Sequence, residues 1–88
     1  MSPEASVPAV IRVHLFASYA ERLGRSVIEL PADGLRTAGD VVDRLRALPR
    51  GEAIGSSTLV AVNFRQSARE TPITPNDEIA VMPPLAGG

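Results

Sequence analysis

The sequence predicts an α+β domain in which a mixed β-sheet packs on one main helix. Short stretches with alternating apolar and polar residues near both ends of the chain indicate strands. A central segment repeats its apolar residues at helical spacing and is the clearest helix. A chain of 88 residues has room for one core, so one face of the sheet is expected to pack on this helix while the other face stays largely open.

The chain begins with a segment of little periodicity, residues 1–9, which is expected to form a flexible leader. The letters VIRVHLFA that follow predict the first strand. Its core-facing positions are Ile11, Val13 and Leu15, whereas His14 falls on the opposite face by strand alternation. We therefore expect His14 to be an ordinary strand histidine and not a ligand or a catalytic base.

A short helix and a second strand come next. The letters SYAERLGR predict the helix, in which Ser18 and Glu21 have the spacing of a capping box and Gly24 supplies a left-handed end. The letters SVIEL, residues 26–30, predict a strand that pairs antiparallel with the first one across this wide connection.

The main helix is predicted over TAGDVVDRLRALP. Thr37 can cap its start, and Asp40 lies in the first turn, where the helix dipole favours a negative charge. Asp40 and Arg44 have the spacing of an exposed ion pair. The apolar residues form one stripe along the helix: Ala38, Val41, Val42, Leu45 and Leu48.

The second half of the chain predicts two or three more strands. A polar, glycine-bearing loop precedes LVAVNF, which predicts a buried strand, and RQSARE adds a short edge strand. The letters TPITPNDE predict a turn, and EIAVM predicts the last strand, with Ile79 and Val81 on the core side. This order of elements is the plan of the β-grasp fold of ubiquitin, here over residues 10–82. In that plan the first and last strands are parallel neighbours.

Composition excludes several classes of function. The chain has no cysteine, which excludes disulfides, thiol nucleophiles and thiolate metal sites, and its single histidine leaves too few ligands for a zinc or di-iron centre. The nine cationic side chains are all arginine and are scattered at a net charge of −1, so no basic stripe for nucleic acid is present. No apolar run is long enough to span a membrane. We expect a cytoplasmic protein that binds no metal or cofactor and is not an enzyme on its own.

An apolar patch is predicted on the open face of the sheet. Phe16 follows the last core residue of the first strand and Met82 follows that of the last strand, so both side chains point away from the core. Because the carboxyl ends of parallel neighbours lie side by side, Phe16 and Met82 are expected to be adjacent. Leu59 and Ala61 can extend the patch, and a contiguous exposed apolar patch usually marks a partner-binding surface.

The segment after the last strand is expected to form an extended tail. Its two prolines end the sheet because they have no N–H to donate, and its two glycines lack a Cβ, so this end can enter a narrow site. Six extended residues reach about 20 Å. The carboxylate of Gly88 can be activated as an acyl adenylate and then accept sulfide or an amine. The tail comprises Pro83, Pro84, Leu85, Ala86, Gly87 and Gly88.

Four stretches of the chain match one known family. The most specific is DEIAVMPPLAGG, in which turn, strand, double proline and diglycine occur together, and the others are VHLFASYAERLG, TAGDVVDRLRAL and LVAVNF. On these stretches, over residues 10–88, the chain resembles the ubiquitin-like sulfur carriers, above all the small subunit of molybdopterin synthase.

This resemblance implies that an activating enzyme uses ATP to adenylate Gly88 and that the adenylate is converted to a thiocarboxylate. It implies that the tail enters the active site of the large synthase subunit, where the sulfur helps to form the dithiolene of molybdopterin from cyclic pyranopterin monophosphate. A heterotetramer with two large subunits is expected. Apolar contacts with both partners fall on Phe16 and Met82, whereas the third apolar contact of the family falls here on Gln66, which departs from the pattern.

Three alternatives share these features. Sulfur carriers for thiamine, cysteine or tRNA thiolation would show the same fold and diglycine. A ubiquitin-like modifier would attach Gly88 to lysines of target proteins, and a plain interaction domain would carry its diglycine by accident. The chain has no lysine, so apart from its N-terminal amine it cannot be a link in a polymer of itself. This favours a carrier over a chain-forming tag.

Overall fold

A computed structural model describes residues 9–55 and 57–84 of the chain. The predictions about residues 1–8 of the leader and about Leu85, Ala86, Gly87 and Gly88 lie outside the described residues. In chain order the elements are β1 (Val10–Leu15), α1 (Ser18–Leu23), β2 (Val27–Pro31), α2 (Ala38–Arg46), a 3₁₀ turn (Gly51–Ala53), β3 (Leu59–Val62), β4 (Arg65–Ser67) and β5 (Ile79–Met82).

The five strands form one mixed sheet in the order β2-β1-β5-β3-β4. The central pair, β1 and β5, is parallel, with Val13 opposite Ile79 and Leu15 opposite Val81. The other three neighbouring pairs are antiparallel. The parallel pairing of the first and last strands around one main helix confirms the predicted β-grasp fold.

The core lies between α2 and one face of the sheet. Strand alternation sends every second side chain of β1 and β5 to this face, and α2 presents its apolar stripe to it. Leu48 of the predicted stripe lies beyond the end of α2 and is half-buried against the core. The side chains with no solvent exposure are Ile11, Val13, Ala38, Val41, Leu45, Ile54, Ile79 and Val81.

The predicted cap of α2 is confirmed, but the predicted ion pair with Arg44 is wrong. The hydroxyl of Thr37 accepts a hydrogen bond from the backbone N–H of Asp40 at 3.2 Å. The Asp40 carboxylate accepts from the backbone N–H groups of Arg36 and Thr37 at 2.9 and 3.1 Å, and these bonds, that of Arg36 first, hold its pKa below the ordinary 3.8. Arg44 instead donates to the carbonyl of Asp33. The carboxylate prefers the unpaired N–H groups at the helix start over a flexible surface cation.

The predicted capping box of α1 is also wrong. The N-cap residue is Ala17, which has no side-chain acceptor and sits at φ 57° and ψ −131°. Ser18 is therefore the first helical residue and cannot cap the helix. The backbone N–H of Phe16 still donates to the carbonyl of Val81 of β5 at 3.2 Å. The chain therefore passes from the last bond of the sheet into the helix with only Ala17 between them. The predicted left-handed end at Gly24 is confirmed, with φ 76°.

The predicted strand LVAVNF ends two residues early. β3 stops at Val62, and Val62 pairs with Arg65 across a two-residue turn. Asn63 and Phe64 both have positive φ, 53° and 70°, as a type I′ hairpin turn requires. The short edge strand predicted after this segment is confirmed as β4.

The loop after α2 is more tightly packed than its polar sequence indicates. Arg50 has a left-handed backbone with φ 67°. A Cβ on the buried Gly51 would overlap the carbonyl oxygen of Leu45 and come within 2.7 Å of that of Arg46. Three residues later Ile54 is fully buried in the core, and its carbonyl accepts a hydrogen bond from the side chain of Arg46 at 3.0 Å. The close approach at Gly51 thus lets the loop turn back into the core.

Candidate functional site

The sheet face opposite α2 carries the residues predicted to bind partners. Met82 lies opposite Leu59, and one row further along Ala80 lies opposite Ala61 and beside His14. The register of β1 with β5 pairs Leu15 with Val81, so the next residues along the two strands, Phe16 and Met82, lie side by side at the end of the sheet where the tail begins. The four residues predicted for this face, Phe16, Leu59, Ala61 and Met82, therefore share it, and their binding role stays a prediction.

These four side chains differ in exposure. Phe16 is 51% exposed and is the most prominent of them. Leu59 and Met82 are half-buried, and Ala61 is only 8% exposed. A partner would therefore contact Phe16 over much of its ring and could gain little from Ala61.

The start of the tail is fixed to the sheet. The hydroxyl of Thr58 donates a hydrogen bond to the carbonyl of Met82, the last residue of β5, at 2.9 Å. Pro83 follows half-buried and Pro84 exposed, and neither has a backbone N–H that could extend the ladder. The strand therefore ends at a defined residue and the chain leaves the sheet there.

A second aromatic side chain stands beside this face. Phe64, at the tip of the β3–β4 turn, is 87% exposed. Between it and Phe16 lies a shallow depression of about 140 Å³, whose lining is mostly apolar. We name it the Phe16–Phe64 groove, and it is lined by His14, Phe16, Phe64, Glu78, Ile79 and Ala80.

A hydrogen-bond network holds the turn that carries Phe64. The side chain of Asn63 donates to the Asp77 carboxylate at 3.0 Å and accepts from the backbone N–H of Glu78 at 2.9 Å. Asp77 also accepts from the backbone N–H of Thr74 at 2.8 Å. The bond from Asn63, and then that from Thr74, holds the pKa of Asp77 below its ordinary value of 3.8. The turn before β5 and the hairpin tip are thereby joined.

The network predicts a dependence of stability on pH. Because the pKa of Asp77 is lower in the folded than in the unfolded chain, its contribution to stability is present above the ordinary value of 3.8 and is lost as the pH falls through the lowered pKa. We expect Asp77→Asn to be less stable than the wild type at neutral pH. That difference should shrink in acid, where the wild-type carboxyl is protonated too. Urea unfolding of the wild type and the variant at neutral and at acid pH measures this difference in stability. A difference that is the same at both pH values would contradict a role for the charge.

Two further features are absent from the described part of the chain. Among residues 9–55 and 57–84, no group of three or more histidine, cysteine or acidic side chains could hold a metal ion. No helix in these ranges is long and apolar enough to cross a membrane. His14 is half-buried on the open face, as predicted.

Sequence reasoning missed Phe64 and Thr58 as site residues. The sequence predicts that Phe64 lies in a buried strand because it continues an apolar run, although the preceding Asn63 is a residue typical of type I′ turns. The sequence predicts a loop at Thr58, and nothing in it shows that the hydroxyl reaches the carbonyl of Met82.

Solved structures of several small proteins share this fold. SAMP1 from Haloferax volcanii is 27% identical, with a TM-score of 0.72 over 90% of this chain and 99% of that one. A molybdopterin converting factor subunit 1 from Pyrococcus furiosus is 18% identical, with a TM-score of 0.72 over 88% of this chain and 99% of that one. A chain in a complex of subunits 1 and 2 of molybdopterin-converting factor from Helicobacter pylori is 18% identical, with a TM-score of 0.63 over 90% of this chain and 99% of that one.

The likeness extends to sequence families. A model of the ThiS family matches residues 13–88, which include the second half of β1, every later strand and the diglycine end. With this match and the β-grasp fold, the chain belongs to the ThiS family of ubiquitin-like small proteins, the class of sulfur carriers and modifiers.

Proposed function

We propose that the chain is the sulfur carrier of molybdopterin synthesis and that the carboxylate of Gly88 carries the sulfur. The observation that carries this proposal is that the family match runs through residue 88 and so includes the double proline and the diglycine. The chain itself is not catalytic in this proposal. It supplies a reactive end to enzymes that bind its open face.

The chemistry needs only the terminal carboxylate of the carrier. In the active site of an activating enzyme, one carboxylate oxygen attacks the α-phosphorus of ATP, and pyrophosphate leaves. A sulfide equivalent then attacks the acyl carbon of the adenylate, AMP leaves, and a thiocarboxylate remains on Gly88. When the sulfur passes to the pterin precursor, water supplies the oxygen that restores the carboxylate.

Two structural features support the delivery of this end to a buried site. The hydrogen bond from Thr58 to Met82 fixes the point at which the tail leaves the sheet, and Pro84 is exposed immediately beyond it. The half-exposed Phe16 stands at the same end of the sheet. A partner that docks on Phe16 would therefore lie where the tail emerges. We propose that the large synthase subunit is one such partner, as the Helicobacter pylori complex of subunits 1 and 2 suggests, and that an activating enzyme is the other.

A second candidate function is attachment of Gly88 to other proteins. It is favoured by the 27% identity to SAMP1 from Haloferax volcanii, a protein named as a small archaeal modifier. The same adenylate would then accept a lysine amine of a target in place of sulfide. The two functions use one fold and one activated end, and differ in the nucleophile.

The intact mass of the protein isolated from its native host tests both functions. For a carrier we expect a species heavier by the difference between one sulfur and one oxygen atom, with the change mapped to Gly88. A modifier would instead appear as a branched adduct on target lysines. An unmodified mass, also after treatment with ATP, a sulfur donor and the matching activating enzyme, would contradict the proposed function.

A further inference from the structure

We propose that the Phe16–Phe64 groove receives an arginine side chain of a protein partner, with its guanidinium group at the carboxylate of Glu78. The inference rests on the proposed function, because the partner is expected to be the activating enzyme or the large synthase subunit. It adds the chemistry by which the partner is recognised.

The shape of the groove comes from the end of β1, the first half of β5 and the β3–β4 turn. Its floor is low at Ala80, which has the smallest side chain that carries a Cβ. Phe16 bounds it at the end of β1, and Phe64 bounds it at the β3–β4 turn. The result is an apolar depression between two aromatic rings that a long, slender side chain can enter.

The side chains that line the groove include one carboxylate, that of Glu78, together with His14. The carboxylate of the adjacent Asp77 adds negative charge, and Arg12, the cation that lines the neighbouring depression with Asp77 and Glu78, pairs with Glu29 at 3.5 Å. The backbone N–H of Glu78 is bound to Asn63, which fixes the residue at the start of β5. Within the described ranges, the Glu78 carboxylate makes no hydrogen bond and no ion pair, whereas that of Asp77 accepts from Asn63 and Thr74. Glu78 can therefore still accept a cation.

This combination of apolar walls and one carboxylate matches arginine better than other side chains. An aliphatic or aromatic side chain would shield Glu78 from water without pairing it, which is costly. An acidic side chain would be repelled by Glu78 and Asp77. A guanidinium group is weakly hydrated, stacks on aromatic faces, and binds a carboxylate through two parallel N–H donors. The ammonium group of lysine is more strongly hydrated and lacks this planar shape.

The backbone of Phe64 gives a second reason to assign a role to the groove. A phenylalanine at φ 70° is energetically unfavourable, and glycine is the residue that this turn position favours. The ring is also 87% exposed, so it gains little from the folded chain itself. The residue opposite Ala61 on the same face is the polar Gln66. Phe64 supplies apolar surface two residues earlier, at the rim of the groove.

The test compares the affinity of full-length variants for the purified activating enzyme and large synthase subunit of the same organism. We expect Glu78→Gln to weaken binding of at least one of them about tenfold at low salt, and to flatten the salt dependence. Phe64→Leu should weaken it about fivefold because the ring face is lost, whereas Phe64→Tyr, which keeps the ring, should bind as the wild type does. Glu70→Gln is the matched control, since Glu70 is an exposed acid away from the groove.

Normal binding of both partners by Glu78→Gln and Phe64→Leu would overturn the groove inference while leaving the sulfur carrier intact. If the wild type binds neither protein, the proposed function fails, and a second measurement decides the groove. In an NMR titration of the ¹⁵N-labelled chain, acetyl-leucyl-arginine amide should shift the amide signals of Phe64, Glu78 and Ala80 more than the uncharged citrulline analogue does. Equal shifts from both peptides, or none, would overturn the inference.

Discussion

Adding one alanine after Gly88 is expected to abolish sulfur loading and to leave the fold unchanged. The described fold ends its last strand at Met82 and leads away through two prolines, so residues added beyond Gly88 should not disturb the core. The extension moves the carboxylate by one residue and places a methyl group where the diglycine has none. A site that admits only a bare chain would then no longer align the carboxylate with the α-phosphorus of ATP.

The loading is measured by intact mass after incubation with ATP, a sulfur donor and the activating enzyme, and the fold by thermal unfolding. The matched control adds one alanine before Met1, at the other end of the chain, and should load normally. Normal loading of the variant extended after Gly88 would contradict the tail mechanism, whatever the control does.

Gly51→Ala is expected to cause a large loss of stability. The new Cβ would overlap the carbonyl oxygen of Leu45 and approach that of Arg46, and both are backbone atoms at the end of α2, which cannot rotate away. Relief requires that the loop shift and pull the fully buried Ile54 out of place. We expect a loss of about 3 kcal/mol. For a domain of this size the melting temperature would fall by more than about 10 °C.

The substitution Arg50→Gly at the neighbouring residue should increase the free energy of unfolding. Arg50 is exposed and holds a left-handed backbone with φ 67°, which costs about 1–2 kcal/mol for a residue with a Cβ. Glycine removes that cost but loses more entropy on folding, so a net gain of about 0.5–1 kcal/mol is expected. Urea unfolding of both variants measures the pair. A stable Gly51→Ala or a destabilised Arg50→Gly would show that the geometry of this loop differs from the one described.

The fold could be predicted because its strongest signals are local and periodic. Alternation in β1 and β5 separates the core residues Val13 and Val81 from outward-facing ones, and the helical stripe and Thr37 cap mark α2. The errors lie where the geometry of the chain overrides a local pattern. Ser18 fits a capping box, but the turn out of β1 places Ala17 at the cap instead. Ile54 is buried in a loop whose neighbouring residues are polar.

The candidate site could be predicted only in part. The outward direction of Phe16 follows from strand alternation, and so does the side of the sheet on which Leu59 lies. How far each side chain is exposed does not follow from alternation, as the covered Ala61 shows. The hairpin tip does not follow from the sequence, because the second turn position holds phenylalanine where glycine is typical, and Asn63 alone is a weak turn signal.

The central position of β5 has a mechanical consequence. The strand to which the tail is attached has neighbours on both sides, β1 and β3. The hydrogen bonds to β1 and β3 run across the direction of β5. A force that pulls on β5 from Pro83 therefore acts on both sets of bonds in shear at the same time. An edge strand such as β4 would resist with one ladder only. The chain thus joins its tail to a strand that is held on both sides, which suits a protein whose end is drawn out of one tight site after another without unravelling the domain.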